Sequence, residues 1–312
     1  MTDMSLLNGV STGASAKRAD TLRKLAGTDK LFYWLTRIAA VSVLGLLGGI
    51  IISLLIGAWP AISTYGLSFL TTVRWAPNAM PEPIFGGLSP IIGTLITSLV
   101  AMLIAVPVGL GIAIFLTELC PPRLMRPISV AIEMLAGIPS IIYGMWGFFV
   151  LGPFLADRGL GGNLSLFNAS LILAIMVLPF ITAISRDVFA TVPPVLKEAA
   201  YGVGCTTWEV VRNVVLPYTR VGLIGGVMLA LGRALGETMA VTFVVGNSFR
   251  LPTSLFSPGT TISAAIASEF AESADLHQSA LILLGLLLFV LTFCVLAAAR
   301  LMLARLAKKA GA

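Results

Sequence analysis

Long apolar runs without a charged residue constrain this chain more than any other feature of its sequence. Several of them exceed the 18 or so residues that mark a candidate membrane-spanning helix. Only 11% of the 312 residues are charged and 57% are hydrophobic, whereas about 25% of the residues in an average soluble domain are charged. The sequence therefore predicts an all-α, polytopic membrane protein.

Six transmembrane helices are predicted from runs of about 20 apolar residues. They cover residues 31–58, 88–119, 128–155, 167–189, 218–245 and 280–303. The predicted domain organisation is a flexible cytoplasmic tail, a transmembrane permease domain and a second cytoplasmic tail. These three parts cover residues 1–30, 31–305 and 306–312.

The distribution of Lys and Arg predicts the orientation of the chain. Sixteen of these residues lie in the N-terminal segment, the even-numbered connections and the C-terminal tail, whereas the odd-numbered connections hold Arg74, Arg158 and Arg250. Basic residues are enriched on the cytoplasmic side of membrane proteins, so both termini are predicted to be cytoplasmic. The formal net charge of +6 is thus explained by topology and does not indicate nucleic acid as a partner.

No cofactor or metal site is predicted. The three cysteines, Cys120, Cys205 and Cys294, lie far apart and have no histidine neighbours. This spacing fits neither a disulfide framework nor a zinc site. We expect all three to be small packing residues.

The connection between the fourth and fifth spans, residues 191–217, is unusually polar and is predicted to face the cytoplasm. Pro193 and Pro194 indicate a helix start, and Thr206 with Glu209 fits a capping box. Two short helices joined at Gly204 are therefore predicted. The residues alone are equally compatible with a hairpin that only joins two spans.

Six residues of this connection have the spacing of a known motif, E-A-A-x3-G-x9-I-x-L-P: Glu198, Ala199, Ala200, Gly204, Leu216 and Pro217. Val214 stands where the motif has Ile. The connection resembles the EAA loop of the membrane subunits of bacterial binding-protein-dependent ABC importers, and we call residues 191–217 the EAA loop. The resemblance implies a type I ABC importer permease fold. It also implies that the loop is a coupling helix that docks into a groove on a cytoplasmic ATPase.

Two charged residues, Arg233 and Glu237, fall within the predicted fifth span, where a charge is costly. On an ideal helix they share a face with small residues: Gly222, Gly226, Ala230 and Ala240. Because they are four residues apart, they could form a structural ion pair that locks this span to a neighbour. Alternatively they could form a relay for an anion, since a guanidinium group matches a tetrahedral oxyanion.

A narrower resemblance covers most of the chain from the first span onward. It is carried by "FLTEL" (115–119), "IPSIIYGMWG" (138–147), "YGVGCTTWEVV" (201–211) and "LGRALGETMAVTFVVGN" (231–247). These runs resemble the membrane subunits of phosphate-specific ABC importers of the bacterial plasma (inner) membrane. The resemblance implies that Arg233 and Glu237 line the translocation pathway for phosphate.

The same resemblance implies the partners of the chain. They are a PstA-like permease subunit, a dimer of a PstB-like ATPase and a PstS-like phosphate-binding protein, assembled in membrane lipid. ATP hydrolysis is expected in the ATPase and no catalytic activity in this chain, since it contains no G-x-x-x-x-G-K-[ST] motif. A permease for molybdate or sulfate, or a secondary carrier, remains an alternative.

The third span has a proline, Pro139, in its middle, which predicts a kink. Ser140 and Tyr143 could present hydroxyl groups to a pathway, whereas the glycines could serve close helix packing: Gly137, Gly144 and Gly147. Packing is the favoured interpretation.

Three further ionisable residues are not expected to have a functional role. Glu118 and Glu133, near the cytoplasmic ends of the second and third spans, are expected to be structural. His277, the only histidine, is expected to be solvated outside the membrane.

Overall fold

The computed structural model describes the backbone of residues 5–310 and the side chains of residues 29–301. Within these residues the regular structure is helical apart from one isolated β-bridge, between Ala76 and Ile84. The predicted all-α class is thereby confirmed. The predicted tails, 1–30 and 306–312, lie almost wholly outside the residues whose side chains are described, so their role stays a prediction.

The chain divides into two compact units, residues 1–56 and 57–312. Helix α1 runs over Ser5–Tyr65, and its part in the first unit exposes nearly all of its apolar side chains from Leu31 to Ile56. An exposed apolar surface of this length suits a lipid environment.

The second unit contains twelve further helices within the described residues. Their bounds are α2 Ser68–Thr71, α3 Leu88–Ile114, α4 Pro122–Ala136, α5 Ser140–Trp146, α6 Gly152–Ala156, α7 Leu166–Ala190, α8 Pro194–Gly202, α9 Thr207–Val210, α10 Leu216–Leu235, α11 Met239–Val244, α12 Ile262–Glu269 and α13 Asp275–Ala310. Turns of π-helix follow α3 (Phe115–Leu119), join α5 to α6 (Gly147–Leu151) and join α9 to α10 (Val211–Val215). A 3-10 turn, Phe270–Glu272, follows α12.

Five stretches of the described chain are long and apolar enough to cross a membrane. They are Asp29–Tyr65, Leu88–Leu119, Leu166–Ala190, Thr207–Leu235 and Asp275–Leu301. A sixth span is obtained when α4 and the helix Ser140–Ala156, which meet at an angle of 88°, are counted together. The six predicted spans therefore correspond to five long apolar helices and one bent pair of shorter helices.

Helix α7 lies at the centre of the second unit and packs against α3 and α10. Glycines on the two neighbours allow this close approach. A Cβ atom added at Gly109 of α3 would lie 2.8 Å from Ile181, and one added at Gly226 of α10 would lie 2.6 Å from Ile184. Small residues thus serve helix association here, as they commonly do in membranes.

The third span departs from the predicted range of 128–155. Helix α4 ends at Ala136, and α5 begins at Ser140 after a sharp bend. Pro139 has an extended backbone and no N–H group, so the helix cannot continue through it. The hydroxyl of Tyr143 donates to the carbonyl of Leu135 at 2.8 Å, which also accepts from the backbone N–H of Ile138 at 3.3 Å, and so links α5 to the end of α4. The predicted kink is confirmed, and it is a complete interruption.

The fifth span also departs from the predicted range, 218–245. It is one continuous helix over Thr207–Leu235, which ends ten residues earlier than predicted and restarts as α11 at Met239. Pro217 therefore lies inside a helix and does not open one. The π-helical turn Val211–Val215 precedes this proline and accommodates its missing donor, since such turns relax the regular hydrogen-bond ladder.

A test of the helix packing uses two glycines of α3. A Cβ atom at Gly93 would lie 1.9 Å from the carbonyl oxygen of Thr260, whereas one at Gly111 would meet nothing within 4 Å. Gly93→Ala should lower the free energy of unfolding by about 1–3 kcal/mol through overpacking. Gly111→Ala, the matched control, should be neutral or stabilising. Thermal unfolding in detergent measures both, and equal stability of the two variants would contradict this packing.

Candidate functional site

The two interrupted helices meet in the structure, because α5 packs against α11. A Cβ atom added at Gly144 would lie 2.9 Å from the carbonyl oxygen of Ala240, and one at Gly147 would lie 3.0 Å from Val244. The packing role expected for these two glycines is confirmed. Gly137 is different, because an added Cβ atom would contact only the carbonyl oxygen of Met134, 3.4 Å away.

Arg233 lies in the last turn of α10, beside the break between α10 and α11. Its side chain is exposed in the isolated chain, and its guanidinium carbon lies 4.4 Å from the centre of the Phe180 ring on α7. A cation is favoured at a helix C-terminus and over an aromatic face. These two effects hold the charge in place without a carboxylate.

Glu237 lies in the break itself, between the end of α10 and the start of α11. Its Oε1 atom accepts a hydrogen bond from the backbone N–H of Ala240 at 3.2 Å. The carboxylate thus satisfies a free donor in the first turn of α11, which also places a negative charge at the favourable end of that helix.

The prediction that Arg233 and Glu237 share one helix face is wrong. Helix α10 ends at Leu235, so the two residues do not belong to one helix. Within residues 29–301, no ion pair joins them. The guanidinium group of Arg233 also donates no hydrogen bond among these residues. Its planar set of N–H donors is therefore available for an oxyanion.

The EAA loop has the predicted form of two short helices, α8 and α9. Gly204 between them has a φ of +90°, a conformation that favours glycine. The capping box is confirmed, since the backbone N–H of Thr206 donates to Glu209 at 2.8 Å and the N–H of Glu209 donates to the Thr206 hydroxyl at 3.4 Å. Glu198 and Ala199 are exposed, whereas Ala200 is half-buried.

An apolar surface on the EAA loop was not anticipated from the motif. It consists of exposed side chains that we call the EAA-loop patch: Val195, Leu196, Tyr201, Val203 and Trp208. Val203 is 83% exposed and Trp208 is 63% exposed. A cluster of this kind on an otherwise polar loop marks an interaction surface. The aromatic residues in "YGVGCTTWE" are the sequence signal from which this surface could have been predicted, because neither of them belongs to the EAA motif.

Two ion pairs join helices at the end of the second unit that carries the EAA loop. Lys197 of α8 lies 2.6 Å from Glu118, and Arg186 of α7 lies 2.7 Å from Glu133 of α4. The structural roles expected for the two glutamates agree with these contacts.

The expectation for His277 is wrong. Its Nε2 atom lies 2.8 Å from Glu269, whose carboxylate also accepts a hydrogen bond from the indole of Trp75 at 2.7 Å. The ring of Phe85 stacks on the imidazole at 5.1 Å between ring centres. His277 therefore joins α13, α12 and the loop after α2 instead of lying in solvent.

Comparison with known proteins identifies the family. Residues 105–308 match the family described as binding-protein-dependent transport system inner membrane component. A phosphate transport system permease protein PstC from Mesorhizobium japonicum is 57% identical over 99% of this chain and 100% of that protein. The chain belongs to the PstC family of permeases. A PstC protein from Haemophilus influenzae is 53% identical over 91% of this chain and 95% of its own length.

Solved structures agree with membership of the PstC family at the level of the fold. The methionine ABC transporter MetNI, in an inward-facing conformation, has a TM-score of 0.57 at 20% identity over 69% of this chain and 94% of its own. A bacterial alginate ABC transporter has a TM-score of 0.62 at 16% identity over 88% of this chain and 95% of its own. The fold is therefore that of an ABC importer permease, a multi-pass component of the inner membrane.

The capping box of the EAA loop can be tested alone. Thr206→Ala removes the hydroxyl that accepts from Glu209, and loss of an N-cap costs about 0.5–2 kcal/mol of helix stability. We expect faster amide hydrogen exchange in α9, measured by mass spectrometry on peptides that cover residues 205–212. Thr206→Ser keeps the oxygen and should exchange at the wild-type rate. Unchanged exchange in Thr206→Ala would show that the cap does not stabilise α9.

Proposed function

We propose that this chain is a membrane-spanning permease subunit of an ATP-driven phosphate importer. The observation that carries the proposal is the 57% identity, over 99% of the chain, to a protein named as a phosphate transport system permease. The chain forms half of the translocation pathway and has no catalytic activity of its own. A second, PstA-like permease subunit forms the other half.

The pathway passes Arg233 and Glu237. Arg233 supports this assignment because its guanidinium is exposed on the chain, faces an aromatic ring and donates no hydrogen bond within the described residues. A doubly anionic oxyanion gains charge-assisted hydrogen bonds from such a group. Glu237 keeps the start of α11 in place beside it. Its negative charge also limits how tightly an anion is held, which transport requires.

The EAA loop couples this pathway to a dimer of a PstB-like ATPase. The EAA-loop patch supplies apolar anchors, and Glu198, Ala199 and Gly204 lie exposed beside it. A helix that presents such anchors fits a groove on its partner. Ala200 is half-buried, and Leu216 and Pro217 lie at the start of α10, within the continuous helix Thr207–Leu235. These three residues position the loop.

The remaining assignments follow from the charge distribution and the family. Both termini and the EAA loop are cytoplasmic, the transmembrane domain covers residues 31–305, and the tails are residues 1–30 and 306–312. A PstS-like binding protein delivers phosphate to the opposite face.

The pathway assignment is tested with Arg233→Gln and Glu237→Gln in the assembled complex. Each should lose phosphate uptake by at least about tenfold. Arg233→Gln loses a charge-assisted contact that contributes about 1.5–3 kcal/mol, and Glu237→Gln loses the negative charge that limits how tightly the anion is held. Arg158→Gln is the matched control, since Arg158 also lies over an aromatic ring, that of Phe154 at 3.8 Å, and should transport normally. Radiolabelled uptake into proteoliposomes, with sulfate and molybdate as competitors, gives the result.

Two outcomes would overturn this proposal. Normal uptake by both variants would remove Arg233 and Glu237 from the pathway. Uptake of sulfate or molybdate in preference to phosphate by the wild-type complex would show that the cargo is another oxyanion.

The coupling assignment is tested with Trp208→Ser and Val203→Asp. Loss of apolar anchors at an interface typically costs about 2 kcal/mol or more, so the ATPase should copurify at least about tenfold less with each variant. Met80→Asp, at a 96% exposed position in the predicted outer loop, should copurify with the ATPase as the wild type does. Full recovery of the ATPase with both loop variants would exclude the EAA-loop patch as its docking surface.

A further inference from the structure

Helix α8 of the EAA loop has an unusual attachment to the rest of the chain. None of its nine residues is buried, and its half-buried Ala200 packs against the core that contains Phe189 and Val210. By contrast, Val210, Val211 and Val215, in and after α9, are buried, and Val210 and Val215 pack against Phe189 and Val192. Helix α9 and the turn after it are therefore fixed by buried side chains, whereas within the described residues α8 reaches that core through Ala200 alone.

One ion pair joins α8 to a spanning helix within the described residues. The ammonium group of Lys197 donates to Oε1 of Glu118 at 2.6 Å. The Glu118 side chain is only 6% exposed and that of Lys197 is 21% exposed. Glu118 lies in the π-helical turn Phe115–Leu119, which continues α3 and ends at Cys120. The contact thus connects the EAA loop directly to the end of the second span.

Burial makes this contact resistant to separation. A carboxylate withdrawn from water loses its hydration, and only a well-placed cation with a short hydrogen bond compensates for that loss. When α8 moves, Lys197 therefore has to carry Glu118 along or leave a buried charge without a partner. A surface ion pair imposes no such condition, because water replaces the partner readily.

We propose that Glu118 and Lys197 are a positioning pair that transmits the displacement of α8 to α3. The inference rests on the proposed function, since it assumes that an ATPase moves the EAA loop. The pair touches neither ATP nor phosphate. It acts by making the second span follow the coupling helix, in parallel with the covalent route through α9 and α10.

The test uses the assembled complex in proteoliposomes and measures the phosphate transported for each ATP hydrolysed. Glu118→Gln and Lys197→Met should keep ATP hydrolysis within about twofold and should lower the transport ratio at least about fivefold, the lower range of a typical coupling. Lys197→Arg keeps the charge and should restore most of the ratio. The double variant should be no worse than either single one, because the two residues act as a unit.

The control is the ion pair of Glu133 with Arg186, which joins α4 to α7 and does not touch α8; its Glu133 side chain is 51% exposed, so burial does not hold this pair together. Glu133→Gln should leave the transport ratio unchanged. An unchanged ratio in Glu118→Gln and Lys197→Met, parallel losses of ATP hydrolysis and uptake, or additive effects in the double variant would overturn the proposal. If Glu118→Gln does not assemble, Lys197→Met and Lys197→Arg, both in the exposed loop, still decide it.

The same experiment distinguishes a failure of the proposed importer function from a failure of the proposed role of the pair. A wild-type complex that transports no phosphate, or transports it without the ATPase, would refute the importer itself. Normal ATP-driven uptake with an unaffected ratio in the pair variants would refute only the role of Glu118 and Lys197.

Discussion

Lipid offers no hydrogen-bond partner to a backbone N–H or C=O group, and this constraint shapes both helix interruptions in the chain. Where α4 stops before Pro139, the Tyr143 hydroxyl donates to the carbonyl of Leu135. Where α10 stops at Leu235, the carboxylate of Glu237 accepts from the N–H of Ala240. Each break is thus bridged by a side chain from the helix that follows or from the break itself. Breaks that are bridged in this way can be kept at a functional position.

The candidate site follows from where these breaks lie. Gly144 and Gly147 bring α5 against α11, so the two broken helices meet, and Arg233 lies in the last turn of α10, just before the break that leads to α11. Its charge is supported by the helix C-terminus and by the ring of Phe180. A guanidinium group held without a carboxylate partner can exchange its aromatic contact for an anion at low cost.

One continuous helix connects the EAA loop to Arg233. It starts at Thr207, directly after the capping residue of the EAA loop, and ends two residues beyond Arg233. Its 29 residues span roughly 40 Å at 1.5 Å per residue. Because this helix is continuous, a tilt of the EAA loop would be transmitted along it to Arg233. The buried pair Glu118–Lys197 adds the second span to the same movement.

The sequence predicts those features that depend on neighbouring residues. The spans follow from apolar runs, the bend at Pro139 from a missing N–H, and the capping box from Thr206 and Glu209. The break after Leu235 was missed because "RALGETMA" contains no proline. The packing of α11 on α5 accompanies that break, and such a contact is not visible in the sequence. Lys197 and Glu118 are 79 residues apart, so no local pattern could pair them.

If nucleotide-driven movement of the EAA loop changes the surroundings of Arg233, the accessibility of a cysteine at that position should depend on the nucleotide state. Arg233→Cys would be made in a chain whose native cysteines, Cys120, Cys205 and Cys294, are replaced. It would then be reacted with a membrane-impermeant thiol reagent in the assembled complex. We predict modification from the aqueous phase at rates that differ between nucleotide-free and ATP-bound complexes. A cysteine that reacts in neither state, or equally in both, would show that movement of the EAA loop does not reach position 233.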